Sequence, residues 1–355
     1  MSSNKTYIPP IYFGDNAYYQ LEKYLNYKNF SKIAIIVDNN TKTLCLPFFK
    51  KKINKVHDFI VIETKNGEKY KSIKSSINIW ENLIKHELDR KSLIINLGGG
   101  LITDIGAFAA STFKRGIEFI NIPTTLLGMV DAAHGGKNGI DFDNLKNMIG
   151  TNNFPKMILI DYKFLKTLPE NEFKSGMAEM FKHGLISDKT HWNELKSLSY
   201  QNQANLPKLV KKSLEIKNSI VSIDPFEKNL RKYLNFGHTL GHAIETFALK
   251  QKRFNKILHG EAIAVGMILE GYISSKKLKL PKKDVVEIKS TLRKNYPILD
   301  FKQKDIEKII SLLIHDKKNN NGTVKFALLN KIGSCSIDLG VEEKIIHEAF
   351  IFYAT

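Results

Sequence analysis

The chain has 355 residues, 43% hydrophobic and 25% charged, a balance that fits a globular protein with room for two domains and excludes disordered and fibrous classes. It holds no 18-residue apolar run, and its start, Met-Ser-Ser-Asn-Lys-Thr-Tyr-Ile-Pro-Pro, lacks the apolar stretch of a secretory signal, so a cytoplasmic protein without membrane contact is expected. The formal net charge of +18 suggests a polyanion as partner, but the charge is almost all Lys and is spread along the chain. No segment interleaves Arg with aromatics, so nucleic acid is not expected and an anionic small molecule is. Cys45 and Cys335 stand far apart outside any zinc-ligand spacing, and both are read as small buried fillers.

The first half alternates strand and helix patterns. Residues 32–38 (KIAIIVD), 59–63 (FIVIE), 93–97 (LIINL) and 117–122 (IEFINI) are short apolar runs of the kind that forms buried parallel strands. Between the second and third, residues 72–88 carry Ile73, Ile77, Trp80, Leu83 and Ile84 at helical spacing. Each run ends in polar or glycine residues: Asp38-Asn39-Asn40, Gly67-Glu68 with Lys71, Gly98-Gly99-Gly100 with Thr103-Asp104, and Pro123-Thr124-Thr125. Glycines after a strand let backbone N–H groups approach a pyrophosphate, and a following helix N-terminus favours its charge. The triplet is not a G-x-G-x-x-G and by itself serves a tight turn equally well. Four such clusters at successive strand ends read as one nucleotide site.

From about Pro169 the pattern turns helical, over 172–186, 209–222, 239–248 and 261–276, with short strands only near 324–329 and 334–337. The expected organisation is α/β: an N-terminal Rossmann-like domain carrying the nucleotide site (1–160) and a C-terminal mostly α-helical domain (161–355). The second half also gathers metal-competent groups. Asn235-Phe236-Gly237-His238-Thr239-Leu240-Gly241-His242 sets two His four residues apart, on one face if helical. His259-Gly260-Glu261 opens the next helix pattern and Glu179 lies in an earlier one. Imidazole plus carboxylate suits Zn²⁺ or a similar ion. Without an intervening Glu, the H-x-x-x-H pair also fits two satisfied core histidines.

Taken together, the strings GGGLITDIGAFAASTFKRG, IPTTLLGMVD, GGK, LKNMIG, FLKTLPE, AEMFKHGLI, LRKYLNFGHTLGHAIE and HGEAIAVGM resemble the 3-dehydroquinate synthase family, from about Asp38 to the end. The resemblance implies conversion of a seven-carbon keto acid phosphate to 3-dehydroquinate and phosphate, with NAD and a divalent metal, Zn²⁺ or Co²⁺. It implies Glu179, His238 and His259 as metal ligands and His242 as a non-ligand His handling protons near the substrate phosphate. Lys137, Asn147, Lys182, Lys217, Arg231, Asn235 and one of Lys317 and Lys318 match substrate-contacting positions. Arg115 resembles a phosphate-binding Arg lent by a neighbouring subunit, which implies a homodimer. For NAD the matching positions are Asp38, Glu68, Lys71, Gly99, Gly100, Asp104, Thr124, Thr125, Asp131, Lys146 and Thr167.

The chain departs from the family pattern in places. Where most members read V-D-S-S-V-G-G-K-T, it reads Val130-Asp131-Ala132-Ala133-His134-Gly135-Gly136-Lys137-Asn138. His134 is then either an exposed loop residue or a group that tunes substrate choice. Asp224-Pro225 stands where Asp-Glu is common, and Asn229 replaces a Gly whose left-handed backbone Asn tolerates. Two rivals remain, a polyol dehydrogenase of the glycerol dehydrogenase type and a non-enzymatic polyanion binder. The first has no use for so many anion-clamping residues, and the second none for the Glu and His set.

Overall fold

A computed structural model describes residues 8–53, 57–143, 145–249, 251–254, 257–314 and 324–355. Lys317 and Lys318 lie outside the described residues. The chain divides into two compact units, 1–169 and 170–355, against an expected boundary at 160.

The first unit is an α/β layer structure. Strands β1 (Ile11–Phe13), β2 (Ile33–Asp38), β3 (Phe59–Thr64), β4 (Leu93–Gly98), β5 (Glu118–Pro123) and, later in the chain, β8 (Ile158–Ile160) form one sheet in the order β1-β8-β5-β4-β2-β3. All its pairings are parallel. β2 and β4 are buried at every residue, as strands covered on both faces must be, so their sequences run apolar without alternation. The helices are α1 (Gly14–Lys28), α2 (Asn39–Leu44), α3 (Leu46–Lys52), α4 (Ile73–Lys85) and α5 (Gly100–Thr112). β6 (Lys137–Phe142) and β7 (Leu145–Asn152) form a separate antiparallel hairpin. α4 buries Ser76, Ile79 and Leu83, whereas Ile73, Ile77 and Ile84 face solvent, as do Phe142, Leu145 and Ile149 of the hairpin. The apolar spacing announced the helix, but most of that apolar face is not core. Both cysteines are buried.

The strand order reverses between β2 and β4. From β2 the chain steps outward to β3, then returns past β2 to lay down β4, β5 and β8 on the other side. Such a switch point leaves a crevice outside the strand carboxyl ends, where open α/β sheets bind ligands.

The second unit is built on α6 (Glu170–Ser187), α7 (Lys189–Leu195), α8 (Leu206–Ile223), α9 (His238–Leu249), α10 (His259–Leu278), α11 (Lys282–Asn295), α12 (Gln303–Ile314) and α13 (Glu343–Ala354). Strands β9 (Lys325–Lys331) and β10 (Ser334–Gly340) pair antiparallel. α6 and α10 are buried over most of their circumference, which marks them as central helices. Within them, Glu179, Lys182 and Glu270 are 0%, 1% and 0% exposed. Buried charges are rare enough to need a reason.

His191 on α7 is also buried, its Nε2 2.8 Å from the Ser213 Oγ of α8. Burial pulls its imidazole down to about 4, against about 6.5 in an unfolded chain. Above pH 6.5 neither state binds a proton there; as pH falls from 6.5 towards 4 only the unfolded state does, so stability drops. At about 1.4 kcal/mol per unit the loss approaches roughly 3 kcal/mol. His191→Gln should therefore narrow the difference in unfolding free energy between about pH 7 and about pH 4.5 by roughly 2 kcal/mol, read from urea titrations of both proteins. An unchanged pH dependence would place the acid sensitivity elsewhere.

Candidate active site

Glycine makes the first unit's crevice approachable. A Cβ on Gly98 would sit 2.5 Å from Ile102 Cβ, and one on Gly99 would sit 2.9 Å from Thr125 Cγ2. Gly99 directly precedes α5, so the first N–H groups of that helix open at the carboxyl end of β4, a ready site for an anion. Asp38 closes β2 and caps α2, its Oδ1 accepting from Thr41 N at 2.8 Å. Thr124 N donates to Gly98 O at 2.9 Å, and Thr125 Oγ1 accepts from Gly128 N at 3.1 Å. Asp131 lies in the wide helical turn Gly128–Ala132 that follows.

The hairpin extends this cluster. Lys71, 5% exposed, pairs with Asp104 Oδ2 at 2.6 Å and donates to Asn147 Oδ1 at 2.6 Å. Burial pulls the Lys71 ammonium down, but Asp104 and Glu68 outweigh it and hold it above its ordinary value. Lys146 pairs with Glu68 at 3.0 Å. Lys137 opens β6 and is exposed, and Thr167 is exposed in the turn after β8. Asp38, Glu68, Lys71, Gly99, Gly100, Asp104, Thr124, Thr125, Asp131, Lys146 and Thr167 thus all follow a carboxyl end of the sheet or the hairpin that joins it.

Arg115 does not join them. It stands between α5 and β5 at the amino end of the sheet, with a left-handed φ of 68° beside Lys114 at 48°. With Asp89, Arg90, Lys91 and Lys114 it lines an open depression of about 580 Å³.

His134 is buried, which corrects the exposed-loop alternative. In the wide turn, Ala133 N donates to Gly128 O and His134 N to Asp131 O; the Met129 carbonyl is paired with His134 Nε2 at 2.8 Å. Asn138 ties the base of the hairpin, donating to Asn153 O at 2.7 Å.

In the second unit three helices converge. Glu179 lies midway along α6, while His238 and His259 are the first residues of α9 and α10. His238 Nε2 is 3.3 Å and His259 Nε2 3.5 Å from the same oxygen, Glu179 Oε1. Four-coordinate Zn²⁺ with bonds of about 2.0–2.1 Å sets its ligand atoms about 3.3 Å apart. The other ring nitrogens are taken: His238 Nδ1 lies 3.2 Å from Phe236 O and His259 Nδ1 3.3 Å from Glu245 Oε2. A carbonyl or carboxylate on the second nitrogen is how metal-binding imidazoles are oriented. Both carboxylate oxygens of Glu179 lack a well-directed hydrogen bond. This donor set fits a divalent cation.

Burial works to raise the Glu179 carboxyl, but Lys182 and His238 overcome it and hold it well below the usual carboxylate range. Burial and Lys182 pull His238 down; at His259 burial is outweighed, Glu245 foremost, and its imidazole is pushed up to about 9. His242, one turn into α9, keeps its ring centroid 5.1 Å from His238 and 5.8 Å from His259. The H-x-x-x-H pair therefore shares a face, in company with a third His.

Three cationic groups of the second unit are buried: Lys182, Lys217 on α8 and Arg231, at 1%, 4% and 5% exposure. Arg231 and Asn235 lie in the short helical turn Leu230–Asn235. Asp224 shapes the approach to it, accepting from the N–H groups of Lys228, Asn229 and Arg231. Arg231 Nη1 donates to Pro225 O at 2.5 Å, and Asn235 Nδ2 to Glu227 Oε1 at 2.7 Å. The Asn229 expectation is corrected here. Its φ is −140°, and Glu227 carries the left-handed φ of 57°. Sequence reading missed Glu227, Glu245 and Glu270, whose only signal was a carboxylate one turn or more from a motif residue.

Models of the 3-dehydroquinate synthase N-terminal and C-terminal regions match residues 61–175 and 176–319. The 3-dehydroquinate synthase of Parabacteroides distasonis is 40% identical over 336 residues, covering 94% of each chain. Among solved structures, a 2-deoxy-scyllo-inosose synthase complexed with carbaglucose-6-phosphate, NAD⁺ and Co²⁺ superposes with a TM-score of 0.82 at 28% identity, over 96% of this chain and 95% of that one. The 2-epi-5-epi-valiolone synthase of Streptomyces hygroscopicus subsp. jinggangensis shares the fold, with a TM-score of 0.84 at 23% identity over 100% and 99%. The chain belongs to the 3-dehydroquinate synthase family.

Proposed function

We propose that this chain is a 3-dehydroquinate synthase, a carbon–oxygen lyase of aromatic amino acid biosynthesis. It would convert 3-deoxy-D-arabino-heptulosonate 7-phosphate to 3-dehydroquinate and phosphate. The convergence of two imidazole nitrogens on one oxygen of the buried Glu179, in a member of this family, carries the reading. Glu179, His238 and His259 would hold the divalent cation, Zn²⁺ or Co²⁺. Asp38, Glu68, Lys71, Gly99, Gly100, Asp104, Thr124, Thr125, Asp131, Lys146 and Thr167 would hold NAD. When bound, the cation acidifies the substrate's secondary alcohol and NAD serves as temporary hydride acceptor, regenerated within each turnover.

The side chains bind and move protons. Buried Lys182, Lys217 and Arg231 offer charge-assisted hydrogen bonds to carboxylate and phosphate, with Asn235, Lys137 and Asn147 as further polar contacts. His242 shares the face of α9 with His238 and would pass a proton near the departing phosphate. Elimination breaks the C–O bond to phosphate and the adjacent C–H bond together, forms a C=C bond between the two carbons, and passes the proton to an oxygen of the departing phosphate. Ring opening and aldol addition follow within one molecule, where both carbons are already held together.

The homodimer is part of this reading. Arg115 stands at the amino end of its own sheet, away from the carboxyl-end cluster, so a role on substrate is best met across a subunit boundary. The exposed Ile73, Ile77 and Ile84 of α4 supply apolar surface for such a contact.

With NAD and Zn²⁺ or Co²⁺, the protein should release phosphate from the heptulosonate phosphate without net NADH at 340 nm. NADH build-up on a polyol without phosphate release would instead establish a dehydrogenase. His238→Ala should lose bound metal and activity together, whereas His242→Ala should keep near-stoichiometric metal and lose on the order of 10²-fold in turnover. Equal metal loss from both, by elemental analysis, would reassign the ligands. Arg115→Ala and His238→Ala chains, each inactive alone, should on mixing recover roughly a quarter of parental activity, because half of randomly paired dimers carry one intact site. No recovery would place Arg115 in its own subunit's site or outside catalysis.

A further inference from the structure

α10 carries two functions. His259 is its first residue, and about three turns further on Glu270 is fully buried. The Glu270 carboxylate reaches across to α9, where Oε2 accepts from Gly237 N at 2.6 Å and Oε1 from Leu240 N at 3.0 Å. These N–H groups lie at the start of α9, where a helix supplies no acceptors of its own. Only close approach allows it. A Cβ on Gly266 would lie 2.0 Å from Gly237 O, and one on Gly237, whose φ is +78°, would lie 2.5 Å from Met267 Cγ.

We propose that Glu270 is a positioning residue for the metal centre, holding the start of α9, and so His238 and His242, in register with His259 on its own helix. This rests on the reading that Glu179, His238 and His259 bind a divalent cation. Two effects are combined. Both carboxylate oxygens are spent on backbone donors flanking His238, which fixes where its ring can point. The N-terminus of α9 also carries partial positive charge beside a site meant for a cation, and a full negative charge there reverses the sign of that field. A neutral cap supplies the first effect alone.

Glu270→Gln is nearly isosteric; it keeps one acceptor, turns an NH₂ towards the second N–H and removes the charge. The full-length protein, stripped of metal by dialysis against a chelator, would be titrated with Zn²⁺ against a colorimetric chelator of known affinity, alongside Glu270→Gln and Glu270→Asp. Glu270→Gln should weaken Zn²⁺ binding by about 10- to 100-fold, the scale set by partners behind the ligands, with the Kd for NAD changed less than about twofold. The visible d–d band of its Co²⁺ form should shift, and Glu270→Asp, which keeps the charge, should recover part of the affinity. Parental Zn²⁺ affinity and an unchanged Co²⁺ spectrum in Glu270→Gln, even with a lower Tm, would overturn the proposal and leave a cap that serves folding only. Parallel loss of Zn²⁺ and NAD binding would overturn it too, since the effect would not be local. Failure of the parent itself to bind Zn²⁺ would instead remove the metal reading beneath it.

Discussion

The second unit is arranged around a carboxylate that has no access to water. Glu179 lies inside α6 with its charge retained, which is tolerable only because Lys182, His238 and His259 surround it. Removing such a charge from water costs several kcal/mol unless partners compensate. Two of those partners open helices, so the requirement fixes where α9 and α10 begin. Glu270 and Glu245 extend the same logic outward, one holding the helix that bears His238 and the other the free face of His259. A burial that would be a defect in an ordinary core becomes the organising element of this one.

The first unit meets a different demand with backbone. Gly98 and Gly99 leave backbone and space open at the end of β4 where side chains would collide with Ile102 and Thr125, the kind of opening a pyrophosphate needs. The placement depends on strand order. The triplet follows β4, beside β2, where the sheet changes direction, so Asp38 and the glycines meet across one crevice although about sixty residues separate them in the chain.

Legibility followed these physical differences. The strands at 33–38, 93–98 and 118–123 could be read because burial on both faces makes them largely apolar, and 59–64 because its run of apolar residues persists although most of it is only partly buried; α1, α11, α12 and α13 were not read. β1 and β8, at three residues each, are too short to carry a pattern, and the half-exposed β7 lacks the apolar content of a buried strand. The grouping of Glu179, His238, His242 and His259 was legible through strings shared with the family, while the place of Glu270 was not. Its role is to accept two backbone N–H groups of another helix, and no spacing within its own segment encodes that. His134 was ambiguous for a related reason, since its Nε2 meets the Met129 carbonyl across a wide turn that no spacing in the segment announces.

The charge of the chain illustrates how composition and function separate. An excess of eighteen positive charges reads as a polyanion binder, yet lysines such as Lys42 and Lys208 sit exposed in surface pairs that contribute at most about 1 kcal/mol each. A surface lysine can be gained or lost with little consequence. Lys182, Lys217 and Arg231 cannot, because desolvating each is costly and nothing in packing alone favours it. Lys182 is matched within the chain by Glu179 and Arg231 by the Pro225 carbonyl, so the buried cations of this unit are held by specific partners in a way that the surface lysines are not.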